Sequence, residues 1–230
     1  MKLKLYRSAS VGIHSNNVKI LVDPWLVDGE YYGSWSHFPF FDFNKYIDEI
    51  NSYDLIYISH IHPDHCSKKT LSKIDKKIPI YIHKYHERFL KFNLEKLGFK
   101  VIEIEHGKRT QIKNNLHINI FAADNCDPKL CYKFSGCANL NKINGSQQID
   151  SLSVIDDNNF SILNLNDSPY DLAKSNFPNI LKMYGKIDLM LTGYCGAGPF
   201  PQCIENFDLN QKIKHGEIKK TYFLNQAFNF

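Results

Sequence analysis

The chain has 230 residues, 43% of them hydrophobic and 23% charged, enough to bury the core of one fairly large domain. Lys+Arg 28 against Asp+Glu 24 leaves +4, spread over Lys68-Lys69, Lys76-Lys77 and Lys212 to Lys220 rather than one stripe, which argues against nucleic acid as a partner. No apolar run approaches the ~20 residues of a membrane span, and no signal-peptide core opens the chain.

In chain order, LKLYR and VKILVD (Val18 to Asp23) read as strands, the second stopped by Pro24. An aromatic-rich loop, Tyr31 to Phe43, follows; it contains His37 and suits either ordinary packing or a wall over a site. Asp54 to Ser59 is a short, strongly apolar β run that ends at the first of several histidines. Ser67 to Ile74 reads as a helix with Ser67 as N-cap. IPIYI is a strand, and Tyr85 to Leu97 carries apolar residues at helical spacing with Gly98 as its stop. Strands are expected at Lys100 to Glu105, RTQIK and Leu116 to Ala123, and a long aperiodic segment runs from Asp124 to Gln148. A hairpin joins Ser151 to Asp156 with Phe160 to Leu165. Asp171 to Tyr184 is helical but interrupted by Pro178, Ile187 to Thr192 is a strand, and Leu209 to Ala227 is a last helix. No repeat or linker divides the chain, so residues 1 to 230 read as one domain.

With no membrane or secretion signal, the expected compartment is the cytoplasm. There the six cysteines (66, 126, 131, 137, 195 and 203) are reduced thiols rather than a disulfide framework. The gaps among Cys126, Cys131 and Cys137 lack the Cys-x-x-Cys knuckle of a zinc ribbon.

The chemistry concentrates in HIHPDH, where His60, His62, Asp64 and His65 follow a buried strand directly. His60 and His62 alternate with Ile61 and so share one side of an extended segment. Past Pro63 the chain turns toward helix, which brings Asp64 and His65 to a second point nearby. Imidazole and carboxylate donors together suit Zn, Fe or Mn. Four such residues in so short a run are poorly explained as solvated polar residues before a helix N-terminus.

This segment matches the His-x-His-x-Asp-His signature of the metallo-β-lactamase superfamily, and LVDP with Asp23 and NLND with Asp167 fall where that pattern has acidic residues. ILVDPWL, DLIYISHIHPDH, ILNLND and the GYCGAGPFP loop further resemble the metallo-β-lactamase domain of the CMP-N-acetylneuraminate hydroxylase family and its bacterial relatives, in the ascorbate-6-phosphate lactonase-like branch. The resemblance implies an α/β (α+β) fold, a four-layer αββα sandwich with two sheets face to face. It also implies a binuclear centre: His60 and His62 on metal 1, Asp64 and His65 on metal 2, Asp167 bridging, and Asp23 orienting ligands from behind.

Two features depart from that pattern. Where a third-motif histidine is usual the sequence reads FAADNCDP, placing Asp124 there; a carboxylate for an imidazole shifts preference from zinc toward iron or manganese. His106, in EHGK, reads as a surface turn residue; His14, at a strand end near the pocket mouth, and His83 and His86, flanking a helix start, also read as surface residues. A strand carrying a last histidine is expected after the final helix, and the chain ends at Phe230 without it.

Three functions follow as expectations. The first is hydrolysis of an ester, lactone or phosphodiester in a small polar, anionic substrate by a metal-activated water, with Asp64 also accepting a proton. The second is iron-dependent hydroxylation, which needs an electron-donor partner because the chain carries no Rieske-type Cys-His motifs. The third is a non-catalytic metal-binding module.

Overall fold

The computed structural model describes residues 1–85, 88–122, 150–168, 170–193 and 200–229. Strands β1 (Lys2–Arg7), β2 (Ser10–Ser15), β3 (Val18–Val22), β4 (Leu55–Tyr57), β5 (Ile80–His83) and β6 (Val101–Ile104) form one sheet in chain order. A second sheet takes β7 (Thr110–Lys113), β8 (Leu116–Ala122), β9 (Ser151–Asp156), β10 (Ser161–Asn164) and β11 (Leu189–Leu191) in the order β11-β10-β9-β8-β7.

Tight turns set the antiparallel registers. Asn16-Asn17 joins β2 to β3 and Asn114-Asn115 joins β7 to β8, all four at positive φ between 48° and 62°. Asparagine tolerates that left-handed conformation better than other side chains, and two such residues in a row match the twist of a hairpin. The β3-β4-β5-β6 pairings are parallel, which puts the C-terminal ends of β3 and β4 on one edge. In the second sheet β9 runs antiparallel to both β8 and β10. The start of β9 therefore lies on the same edge as the ends of β8 and β10.

The period-2 alternation of the strands sorts their side chains into layers. Ile20, Val22, Leu55 and Tyr57 face Leu116, Ile118, Ile120, Ile155 and Ile162, filling the space between the sheets. The alternate residues Leu21, Ile56, Ile58, Ile80 and Ile82 point outward. They are covered by Ile50 of α1 (Ile47–Asn51), Leu71 of α2 (Lys68–Lys73) and Leu90 and Leu94 of α3 (Phe89–Lys96). On the far side Phe121, Leu152, Val154 and Leu163 pack on Ala173 of α4 (Tyr170–Ala173) and Ile180 of α5 (Phe177–Tyr184). The order is helix, sheet, sheet, helix, as expected. Each fully buried Leu or Ile in these layers contributes about 1.5–3 kcal/mol of transfer free energy.

Several local expectations hold in detail. Ser67 caps α2, its side chain accepting from the Thr70 backbone N–H, and Gly98 follows α3 with φ of +91°. Pro178 sits in the first turn of α5, where its missing N–H costs nothing. It separates α5 from α4 and the 3-10 turn Lys174–Asn176. The last helix, α6, spans Leu209–Asn229. Two elements differ from the sequence reading. SVGIHS is itself strand β2, and Ile47–Asn51 is a short helix too brief for periodicity to reveal. None of the helices among the described residues is long and apolar enough to cross a membrane.

Candidate metal centre

Seven chemistry-bearing residues meet at that shared edge: Asp23, His60, His62, Asp64, His65, Asp150 and Asp167. β3 ends at Asp23, β4 leads into Ser59 and the His60 to His65 turn, β9 begins just after Asp150, and β10 runs into Asp167. His60 and His65 are buried, and Asp23 is wholly so.

Asp23 organises the pocket from behind. Its Oδ1 accepts from the Ser59 backbone N–H at 2.7 Å and its Oδ2 from the Ser59 hydroxyl at 2.6 Å and from His65 Nδ1 at 2.8 Å. A carboxylate only accepts, so Nδ1 of His65 carries a proton and Nε2 is the ring nitrogen turned toward the pocket. The same logic reaches His60. The Ser59 hydroxyl spends its single hydrogen on Asp23 and so accepts from His60 Nδ1 at 2.9 Å. That leaves Nε2 of His60 facing inward without a proton. Asp23 holds a left-handed φ of +44°, a backbone strain of about 1–3 kcal/mol kept in place by its three hydrogen bonds.

The inward-facing atoms fall into two clusters that share one residue. His60, His62 and Asp167 form one, and Asp64, His65 and Asp167 the other, with one donor atom from each residue within 4.8 Å of the others. Nε2 of His60 and Nδ1 of His62 are 2.9 Å apart. Asp167 Oδ2 stands 3.9 Å from His60 Nε2 and 3.3 Å from His65 Nε2. Asp64 Oδ2 is 3.6 Å from His65 Nε2.

Electrostatics follow from this crowding. Burial, reinforced by the charge of His65, holds the His60 imidazole well below its ordinary value, with Asp167 opposing. Burial lowers His62 as well. Burial also disfavours charge on His65, but the carboxylates of Asp23 and Asp167 outweigh it and raise that imidazole well above the usual range. Burial works to raise the Asp167 carboxyl, and the hydrogen bond and charge of His65, with His60 and His62, overcome it and hold it at about 2.

The sequence reading missed Asp150. Its Oδ1 is enclosed, has no hydrogen-bond partner among the described residues, and lies 3.4 Å from His60 Nε2. Burial, with the neighbouring charge of Asp167, pushes this carboxyl up to about 7. An acidic residue immediately before a strand, antiparallel to the strand that leads to Asp167, was the available signal. A carboxylate with one enclosed, unpartnered oxygen beside three imidazoles and two further carboxylates is the donor set a divalent cation neutralises. The residues present thus fit a metal centre.

Other candidates fall elsewhere. Asp124 lies outside the described residues, as do His86, Cys126, Cys131, Cys137, Tyr194 and Cys195. His83 corrects an expectation: it closes β5 and is buried rather than solvent-facing, because the inward and outward alternation of that strand extends through it. His106 is exposed, as expected, and its Nδ1 accepts from the Ala122 N–H at 3.2 Å. His14 bonds Tyr53 at 3.1 Å. His37 packs on Trp25 and bonds Asp28, so it belongs to the loop's own core.

Comparison with known proteins agrees with this architecture. The family described as "Beta-lactamase superfamily domain" matches residues 2–154. Cytidine monophosphate-N-acetylneuraminic acid hydroxylase of Xenopus laevis is 27% identical over 220 residues, covering 92% of this chain and 32% of that protein. The inactive human counterpart is 26% identical, with 92% and 38% covered. The chain thus spans about a third of the length of such relatives. Among solved structures, the CmlA beta-hydroxylase E377D mutant superposes with a TM-score of 0.61 at 19% identity, covering 97% of this chain and 43% of that one. Isothiocyanate hydrolase from Delia radicum gut bacteria gives 0.62 at 16%, with 87% and 74% covered; at these identities the likeness speaks for the fold. With its two-sheet sandwich and the His60 to His65 motif at the sheet edge, the chain belongs to the β-lactamase superfamily and has the metallo-β-lactamase fold.

Proposed function

We propose that the chain is a binuclear metal-dependent hydrolase acting on an ester, lactone or phosphodiester of a small, polar, anionic substrate. The observation that carries this reading is the pair of three-residue clusters sharing Asp167. His60, His62 and Asp167 would hold one ion, with Asp150 as a further oxygen donor beside His60. Asp64, His65 and Asp167 would hold the other, and Asp23 would fix the histidine tautomers. Zinc, iron or manganese in such a site lowers the pKa of bound water and polarises the scissile oxygen. The protein's own part is to turn the Nε2 atoms of His60 and His65 toward the ions, keep Asp167 ionised between them, and receive at Asp64 the proton released when water adds to the substrate. We place the chain in the cytoplasm, where thiols such as Cys66 and Cys203, both free, persist.

A specific observation favours a second reading, iron-dependent hydroxylation. With Asp150 the site offers three carboxylates to three imidazoles, a balance that leans toward iron or manganese over zinc. The hydroxylase relatives align over 92% of the chain. That reaction consumes dioxygen and two electrons, which an electron donor would have to supply.

Metal analysis after growth with iron and with zinc separates the readings. Tight zinc with turnover of lactone or phosphodiester substrates supports hydrolysis. Two irons with oxidation of a substrate on adding a reductant, and no hydrolysis, overturns it.

A further inference from the structure

We infer that Tyr31 is a positioning residue for the metal-binding carboxylate Asp64, restricting it to a single oxygen toward the second metal; this rests on the metal-centre reading above. The Tyr31 hydroxyl donates to Asp64 Oδ1 at 2.7 Å. The other oxygen, Oδ2, is the one that faces His65 Nε2. A carboxylate with one oxygen engaged by a half-buried phenol has one lone pair of that oxygen occupied and its rotation about the Cβ–Cγ bond restricted. It then offers a metal one oxygen at a fixed angle rather than two.

The loop carrying Tyr31 is built to hold this contact. Asp28 Oδ1 accepts from both the backbone N–H of His37 and its ring, at 2.8 and 2.5 Å, closing the loop at its base. Glu30 and Trp35 form an isolated β-bridge, and Gly29 N–H donates to the Trp35 carbonyl at 2.8 Å. Ser67, the residue that caps α2 just past His65, donates to Glu30 Oε1 at 2.6 Å. The loop is therefore tied to the ligand turn itself. The Tyr31 ring packs on Trp35 with centroids 4.5 Å apart.

Backbone strain points the same way. Tyr31 and Tyr32 take φ of +48° and +61°, a conformation that bulky residues adopt only where the surroundings demand it. Tyr32 is fully exposed, so burial of its own ring does not explain the bend. The bend does turn the Tyr31 hydroxyl down onto Asp64. The HIHPDH motif alone carries no hint of this contact, because the partner is 33 residues upstream.

The test is a cobalt(II) titration of the metal-free protein, read by its visible spectrum and by total metal bound. Tyr31→Phe keeps the ring against Trp35 and removes only the hydroxyl; its thermal melt and far-UV spectrum check the fold. The expected result is two binding events in the wild type. In Tyr31→Phe the Asp64-dependent event weakens by about 10-fold to 100-fold, the range for outer-shell partners of metal ligands, with an altered spectrum, and the other event is unchanged. Adding Tyr31→Phe to Asp64→Ala should change nothing further. Cobalt binding by Tyr31→Phe that matches the wild type, or an equal loss in the Asp64→Ala background, overturns the inference. Failure of the underlying reading looks different: His62→Ala and Asp167→Ala would then bind cobalt like the wild type.

Discussion

The carboxylate of Asp23 and the imidazole of His65 are 2.8 Å apart and both buried, though 42 residues separate them in the chain. This contact, with its partner through Ser59 to His60, decides which nitrogens face the pocket. Asp23→Asn should therefore weaken metal binding by about 10-fold to 100-fold, since an amide can offer a hydrogen where the imidazole needs an acceptor. The same change leaves buried polar groups mismatched and should cost about 1–3 kcal/mol of stability. Metal retention against a chelator and denaturant unfolding measure the two effects separately.

Asp150→Ala tests the carboxylate that sequence reading missed. It touches the site through His60 rather than through the Asp64 and His65 side. The expected outcome is loss of affinity at the His60-His62 position, with a thermal melt checking that the fold is intact; among the described residues Oδ1 of Asp150 has no hydrogen bond to lose. Stoichiometric titration of the metal-free variant checks this, and unchanged affinity at both positions would remove Asp150 from the centre.

Asp157 gives the fold a pH dependence away from the metal centre. It accepts from Ser15 of the first sheet at 2.5 Å and from the backbone of Asn159 and Phe160 in the β9–β10 turn, tying the two sheets together. Burial tends to raise its carboxyl, but these hydrogen bonds and the positive N-terminus outweigh burial and hold it below the ordinary 3.8. A depressed carboxyl stabilises the fold above its unfolded value and loses that contribution as pH falls through the folded one. Acid unfolding below about pH 4 should thus be less steep in Asp157→Asn than in the wild type. At neutral pH the variant should be less stable by about 1–3 kcal/mol.

The fold and half of the site were legible in the sequence for physical reasons. Period-2 runs such as VKILVD and DLIYIS set both faces of the first sheet, and HIHPDH at a strand end leaves little choice about what the turn presents. Asp23 and Asp167 were readable because each closes such a run. Asp150 was not, since its signal is the antiparallel course of β9 against β10, a pairing between segments rather than a motif. Tyr31 was hidden for the same reason, reaching Asp64 through a loop whose shape depends on Asp28, Glu30 and Ser67 together. His83 misled because a histidine before a helix resembles a surface residue until its strand is known to be buried.

The most direct measurement is metal stoichiometry in purified wild type and Asp167→Ala, by elemental analysis after metal loading and desalting. A shared carboxylate between two clusters predicts two metal ions per chain in the wild type, with affinity for both lowered when Asp167 is removed. A wild type that binds a single ion, or an Asp167→Ala variant that still holds two with unchanged affinity, would contradict a binuclear centre bridged at Asp167.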